Sequence, residues 1–397
     1  MKDLAIFGSA PAFEQPLHVG RPNIGKRERF LERVEDILDR RWLTNNGPYV
    51  QAFEKVIASR CGVRACVATC NGTIALELLM QGVDMKGEVI VPAYTFVATA
   101  HALRWQGIQP VFCDIDPVTH TLDPKKVEEL ITPNTTGIAG VHLWGNACDV
   151  KALQEIADRH GLELIFDASH AFSCKHDGRP IGGFGRGEVF SFHATKVLNC
   201  FEGGAVLTDD EELAEKLRLM RNFGFESKDR VVYLGSNGKM SEVSAAMGLT
   251  GLESLPEFIE VNRANHRRYV ERLSVLEGVR VLEPREADGF NYHYVIAELE
   301  GAALTRDQVV RVLEAENVLA RRYFYPGVHA MEPYRSEQPM AKLVLPETER
   351  LSRIVLVLPT GSEVDRGVVD RICDVIETAL QRAAEVSAAL DGIPAES

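Results

Sequence analysis

RACVATCNGTIALELLMQGVDMKGEVIVPAYTFVATAHALRWQGIQPVFCDI, residues 64–115, alternates short apolar runs with longer helical ones. RACVATC, EVIVP and PVFCDI are too short and too evenly apolar for surface helices, and read as strands buried on both faces. NGTIALELLMQG and FVATAHALRWQG carry helical spacing between them. The same alternation continues downstream. KKVEELI reads as helix, GIAGVHLW as strand, VKALQEIADRHG as helix and LELIFDA as strand, and EVFSF and GGAVLT follow as two more strands. Strands alternating with helices predict an α/β architecture, with a mostly parallel sheet flanked by helices.

Outward from this block the character changes. Residues 27–42 (RERFLERVEDILDRRW) form an amphipathic helix pattern, and WLTNNGP at 42–48 is a turn cluster with Asn-Gly and Pro as breakers. From Ser241 a long helical pattern runs past residue 270, with an interruption expected at Pro256. NYHYVIAEL, TRDQVVRVLEAEN, RIVLVLP and a last helix from about Asp365 to Glu385 then give an α+β flavour. ARRYFYP reads as strand or loop, and the closing DGIPAES as frayed. The expected division is a large domain with an N-terminal arm over 1–250 and a small α+β C-terminal domain over 251–397.

The 397 residues hold 44 Lys and Arg against 57 Asp and Glu, a net charge of −13. That balance argues against a general nucleic-acid binder, which needs a basic footprint, but leaves room for an anion in a local pocket. No apolar run approaches the roughly 20 residues of a membrane span. The N-terminus lacks the pattern of a secretion signal, so a cytoplasmic protein is expected. The eight cysteines are scattered with no C-x-x-C pair, and read as buried reduced thiols. No P-loop is present. GGFGRGE at 182–188 precedes a strand instead of joining strand to helix, so it reads as a turn and not a dinucleotide fingerprint. No H-E-x-x-H or comparable cluster supports a catalytic metal.

Four features carry chemistry. CNGT at 70–73 lies between a strand and a helix, where Gly72, Thr73 and backbone N–H groups can face an anion; an ordinary helix cap has equal weight. Asp167 ends the strand LELIFD, where ligands bind in open α/β sheets; it could pair with a protonated ring nitrogen or simply cap the next turn. His170 could flank the same ligand or be a satisfied buried histidine. Lys196, in SFHATK at 191–196, sits between apolar strands on the side of Asp167, where desolvation would lower its pKa and permit a Schiff base; a surface lysine is the default alternative. Phe96, just after EVIVP, could stack on a planar ring or fill the core. An anion cradle, a carboxylate, an aromatic plate and a Schiff-base lysine together are what pyridoxal 5'-phosphate (PLP) requires.

At these residues the chain resembles the DegT-type PLP-dependent nucleotide-sugar aminotransferases. The motifs are GPYVQAFE, NGT-x-AL, P-x-Y-T-F-x-AT, FDASHA, SFHATK, EGGAVLT, RNFGF, NGKMSEVSAAMG and RRYFYPGVH, spread over nearly the whole chain. The resemblance implies PLP fold type I, the aspartate-aminotransferase-like architecture. It implies that Lys196 carries the cofactor (PLP or its amine form, PMP), that Asp167 pairs with the pyridine nitrogen and that Phe96 stacks on the ring. Gly72, Thr73 and Ser191 would hold the phosphate, with His170 at the cofactor's edge. Asn237 would reach the cofactor phosphate of a neighbouring subunit, making a homodimer the active unit. Arg322, Tyr323, Tyr325 and His329 would help bind the nucleotide-sugar.

Within the family, AIFG, LHVGRPN, WLTNNGP, VATCN, FHATK, NFGF and NGKMSE look like the TDP-4-keto-6-deoxyglucose 4-aminotransferases of macrolide and enediyne antibiotic pathways. That likeness implies transamination at C4 of a TDP-4-keto-6-deoxyhexose, with an amino acid such as glutamate as donor. Phe223 stands where the family commonly has His, Lys239 where it has Arg, and NCF at 199–201 replaces a Thr/Gly-rich stretch. These departures keep C3 amination of a TDP-3-keto-6-deoxyhexose as an alternative. A fold type I amino-acid lyase and a non-catalytic PLP-fold sensor are further rivals. Dehydratase relatives carry His at the Lys196 position, so Lys196 favours transamination.

Overall fold

A computed structural model describes residues 3–391. All of DGIPAES except Asp391 lies outside the described residues. The residue 64–115 block folds as read: Ala65–Thr69 (β1), Glu88–Pro92 (β2) and Gln109–Cys113 (β3) are joined by helices Gly72–Gly82 (α1) and Ala98–Trp105 (α2). Thr135–Val141 (β4), Glu163–Asp167 (β5), Gly187–Ser191 (β6) and Gly204–Thr208 (β7) complete a seven-stranded sheet in the order β1-β7-β6-β5-β4-β2-β3. Pairings among β6, β5, β4, β2 and β3 are parallel, and β7 runs antiparallel to both neighbours. The sheet is therefore mixed but mostly parallel. Every residue of β1 and β7 is buried, as expected for strands covered on both faces.

The parallel strands all end at one edge. Thr69, Pro92, Val141, Asp167 and Ser191 are the last residues of their strands there. Chain reversals at that edge expose side chains and helix N-termini, which is where open α/β sheets bind ligands.

Helix Glu242–Leu273 (α3) runs 32 residues without a break. The interruption expected at Pro256 does not occur. Pro256 faces solvent, while Leu252, Leu255 and Phe258 around it are buried. Packing on that face outweighs the ~3 kcal/mol that an interior proline costs a helix. Residue 250 lies inside this helix. The helix expected over 27–42 ends at Arg40, because Arg41 turns left-handed with φ 55°. ARRYFYP is loop apart from a bridge between Arg321 and Val357. The turn read into 182–188 is present: Glu188 accepts the N–H groups of Gly182 and Phe184 within it.

Val279–Val281 (β8), Val295–Leu299 (β9) and Val355–Leu358 (β10) form an antiparallel sheet in that order, covered by helices Arg306–Ala315 (α4) and Arg366–Gln381 (α5). Leu4 and Phe13 join its core, beside Val318 and Ile372. Glu316 fastens them by accepting Ala5 and Ala12 N–H groups at 2.6 Å each. Leu17 pairs parallel with Val318 just beyond. The N-terminal residues thus pack on C-terminal elements. All eight cysteines are free and seven are buried, matching the reading as reduced thiols. Among the described residues, no helix is long and apolar enough to cross a membrane.

Candidate active site

Asn71 ends the β1–α1 turn as the helix N-cap, its Oδ1 accepting the Ile74 N–H at 2.8 Å. Capping and an anion-facing turn are therefore not alternatives here. The cap leaves Gly72 and Thr73 lining a cavity of about 390 Å³ at the sheet edge. Two close approaches shape this corner. A Cβ on Gly72 would sit 3.0 Å from Ser191 Cβ. One on Gly204 would meet Asn71 O at 2.4 Å and Gly72 N at 2.6 Å. Glycine at both positions lets strand ends β6 and β7 press against the first turn of α1.

Asp167 and Lys196 line the same cavity. Asp167 is buried, and its two oxygens are oriented separately: Oδ2 accepts the Thr99 hydroxyl at 2.8 Å and Oδ1 the Ser169 N–H at 3.0 Å. Thr99 comes from α2 and Ser169 from the turn after β5, so a helix and a turn aim the carboxylate. Lys196 Nζ donates to Tyr294 Oη at 3.4 Å. Loss of water around the ammonium lowers its pKa to about 8, against the opposing pull of Asp167. An amine with that pKa is substantially neutral near physiological pH and can act as nucleophile or base.

The aromatic wall is layered. His170 stacks on Trp144 at 5.6 Å between centroids, and Trp144 stacks on Phe324 at 5.1 Å with 11° between planes. Burial, with Lys196 and His293 nearby, drives the His170 pKa well below its usual value. His170 is neutral, and its Nδ1 accepts the Trp144 N–H at 3.4 Å. Trp144 itself is fully buried at φ 61°, a conformation that costs a bulky residue energy unless its surroundings enforce it. Here the enforcement is visible: its indole N–H donates to His120 Nδ1, and His120 Nε2 donates to Glu298 at 2.8 Å. Phe96 lines the cavity with its ring tilted toward Phe324 at 6.5 Å.

Of the residues singled out in the sequence, Gly72, Thr73, Phe96, Asp167, His170, Ser191, Lys196 and Tyr323 meet in this one cavity. Four do not line it. Asn237 is exposed, on a segment bridged to Asn222. Arg322 is held by Asp307 at 3.4 Å and lies over the Tyr325 ring. Tyr325 is exposed beside it. His329 is buried and hydrogen-bonded to Glu349 at 2.8 Å. The departures from the family pattern also lie outside. Phe223 and Lys239 contact each other, with Nζ 4.8 Å from the ring centroid, and Asn199 is buried with its amide donating to Asn23 O. Sequence reading missed Thr95, Thr99, Tyr294 and Arg321. Thr95 and Thr99 stand inside the quoted PAYTFVAT motif and Arg321 opens RRYFYPGVH, so both motifs held a usable signal; Tyr294 arrives from a distant segment with none.

The corner fits PLP on its own geometry. The cradle of Gly72, Thr73 and Ser191 at a helix N-terminus suits a phosphate. The buried, doubly oriented Asp167 suits a protonated ring nitrogen. The desolvated amine of Lys196 suits an aldehyde.

Comparison with known proteins agrees with this arrangement. A dTDP-4-amino-4,6-dideoxy-D-glucose transaminase from Shigella dysenteriae is 38% identical over 91% of this chain and 99% of its own length. A dTDP-3-amino-3,4,6-trideoxy-alpha-D-glucose transaminase from Streptomyces venezuelae is 33% identical over 85% of this chain and 88% of its own. The crystal structure of DesI in the presence of its TDP-sugar product is 50% identical, superposes with a TM-score of 0.94, and matches 98% of this chain and 99% of that one. The profile of the DegT/DnrJ/EryC1/StrS aminotransferase family matches residues 25–377. With fold, cavity and near full-length relatives in accord, the chain belongs to the DegT/DnrJ/EryC1/StrS aminotransferase family, whose aminotransferases are PLP-dependent.

Proposed function

We propose that this aminotransferase aminates C4 of a TDP-4-keto-6-deoxyhexose, giving a TDP-4-amino-4,6-dideoxyhexose for glycosylation of a secondary metabolite, with an amino acid such as glutamate as donor. The observation that carries the reading is the convergence of Lys196, Asp167 and the Gly72–Thr73–Ser191 cradle in one cavity of a chain 50% identical to DesI. The relative from Shigella dysenteriae, named for a 4-amino sugar, supports C4. The relative from Streptomyces venezuelae, named for a 3-amino sugar, keeps C3 as the second reading.

PLP, when bound, would supply a reactive aldehyde and an electron sink. The chain's residues would do the rest. Gly72, Thr73 and Ser191 would hold the phosphate, and Phe96 would cover one ring face. Asp167 would keep a proton on the ring nitrogen, its orientation fixed by Thr99 and Ser169. Lys196, neutral in a sizeable fraction, would take a proton from carbon and return it across the site. Neutral His170 would flank the ring without adding charge. Arg322, Tyr323, Tyr325 and His329 remain proposed as nucleotide-sugar contacts, Tyr323 being the one that lines the cavity.

A homodimer of a cytoplasmic enzyme belongs to the same proposal. Asn237 is exposed, and near it Phe223, Val231 and Leu234 are exposed apolar residues that a second copy would cover. The proposed division remains 1–250 and 251–397, with α3 bridging it.

The test is direct. Protein, PLP and glutamate are incubated with TDP-4-keto-6-deoxyglucose and, separately, with its 3-keto isomer, and the aminated carbon is identified by NMR. Amination at C3 alone would replace the C4 reading. Lys196→Ala should abolish turnover and the absorbance of lysine-bound cofactor; retention of both would remove Lys196 from its role.

A further inference from the structure

Two arginines stand side by side before Tyr323, and the fold treats them differently. Arg322 lies outside the cavity, 3.4 Å from Asp307, a carboxylate it shares with Arg306. Arg321 lines the cavity. Its guanidinium sits 5.1 Å from the centroid of the Tyr323 ring, and among the described residues it has no ion pair and no side-chain hydrogen bond. Among the described residues, Lys196 and Arg321 are the only Lys or Arg side chains on the cavity wall, which also carries the acids Asp167 and Glu202. Lys196 is committed to the cofactor in the proposed function. Arg321 is thus the permanent positive charge left on that wall for a substrate.

Its placement is rigid. The backbone of Arg321 exchanges hydrogen bonds with Val357 of β10, at 3.0 and 2.8 Å. Tyr323 is held in turn, its carbonyl accepting the Tyr94 hydroxyl at 2.7 Å and its ring stacking on Phe324 at 7°. A guanidinium stacked on a fixed ring loses fewer rotamers on binding, and its fork of N–H groups matches paired oxygens.

We infer that Arg321 is the receptor for a substrate oxyanion, a carboxylate or a phosphate, at the active-site mouth. The inference rests on the proposed transamination, whose two substrates each carry such an anion: the carboxylates of the amino-acid donor and the diphosphate of the nucleotide-sugar. Both ligands offer the same paired-oxygen chemistry, so equilibrium binding must separate them.

The experiment titrates PLP-loaded wild-type, Arg321→Gln and Arg321→Lys protein with TDP and, separately, with 2-oxoglutarate, at two salt concentrations. For at least one anion, Arg321→Gln should raise Kd at least tenfold, Arg321→Lys should recover part of the loss, and the salt dependence seen in wild type should flatten. A loss confined to 2-oxoglutarate identifies the carboxylate, and a loss confined to TDP the diphosphate. Losses for both mean one guanidinium serves the two anions in turn. Both Kd values staying within twofold of wild type, or wild type binding neither anion, would overturn the inference. The readout is binding without turnover. A protein that holds an anion through Arg321 yet aminates no ketosugar would sink the proposed function and leave this inference standing.

Discussion

The Thr99 hydroxyl donates to Asp167 Oδ2 at 2.8 Å, so the site's buried carboxylate is aimed by a helix other than the strand that carries it. A hydrogen bond to a charged group is worth ~1.5–3 kcal/mol. Thr99→Val keeps the shape and removes the bond. Turnover should fall about tenfold or more, with the absorbance of bound cofactor shifted, while Thr99→Ser retains most activity. Wild-type kinetics and spectrum in Thr99→Val would show that Asp167 needs no such support.

The pKa of about 8 on Lys196 predicts how the apoprotein captures PLP. Only the neutral amine attacks an aldehyde. Burial lowers the pKa, so the neutral fraction should climb tenfold per unit below pH 8 and level off above it. Stopped-flow absorbance on apoprotein between pH 6 and 10 reads this out. A rate still climbing tenfold per unit at pH 9.5 would mean an ordinary lysine.

His293 Nε2 donates to the Thr195 carbonyl at 2.8 Å, next to Lys196, and burial lowers the His293 pKa to about 4. A histidine kept neutral in the fold titrates near 6.5 once unfolded, so the unfolded chain binds the extra proton first. Stability is therefore lost as pH falls through 6.5, and the loss levels off near pH 4. By pH 5 this amounts to about 2 kcal/mol. His293→Gln keeps a donor and removes the titration. Denaturant melts at pH 7 and pH 5 should show a smaller acid loss in the variant by about that amount; equal losses would contradict it.

Gly204 is where β7 presses against the Asn71–Gly72 peptide. Gly204→Ala forces a methyl against backbone that has no side chain to swing away. The cradle must shift, so Kd for PLP should rise at least tenfold, with stability falling by about 1–3 kcal/mol. Unaltered PLP retention on dialysis would show that the cradle tolerates the shift.

Much of this was legible beforehand, for reasons that differ by residue. The β1 to β3 block was readable because strands buried on both faces must be apolar throughout. Gly72, Asp167, Ser191 and Lys196 were readable because they end strands or follow them directly, where local sequence sets position. Pro256 was misread because interior proline is costly locally, and only the buried faces of Leu252 and Phe258 show what outweighs it. Tyr294 was invisible because its place in the cavity depends on how the antiparallel sheet β8-β9-β10 docks, which no short motif encodes; RRYFYPGVH marked the right segment, but not that Arg321 lines the cavity while Arg322 does not. His329 shows what a motif leaves open: the residue type was legible, but not that the fold buries it against Glu349 and off the cavity wall.

The clasp of Glu316 on Ala5 and Ala12 orders events during synthesis. Leu4 and Phe13 are translated well before Val318 and Ile372 of the hydrophobic shell they complete. For some three hundred residues these side chains wait without partners, while the large sheet can already assemble. Trimming the first dozen residues would therefore injure the far end of the polypeptide, and a fragment beginning at 251 would emerge with an unfilled core.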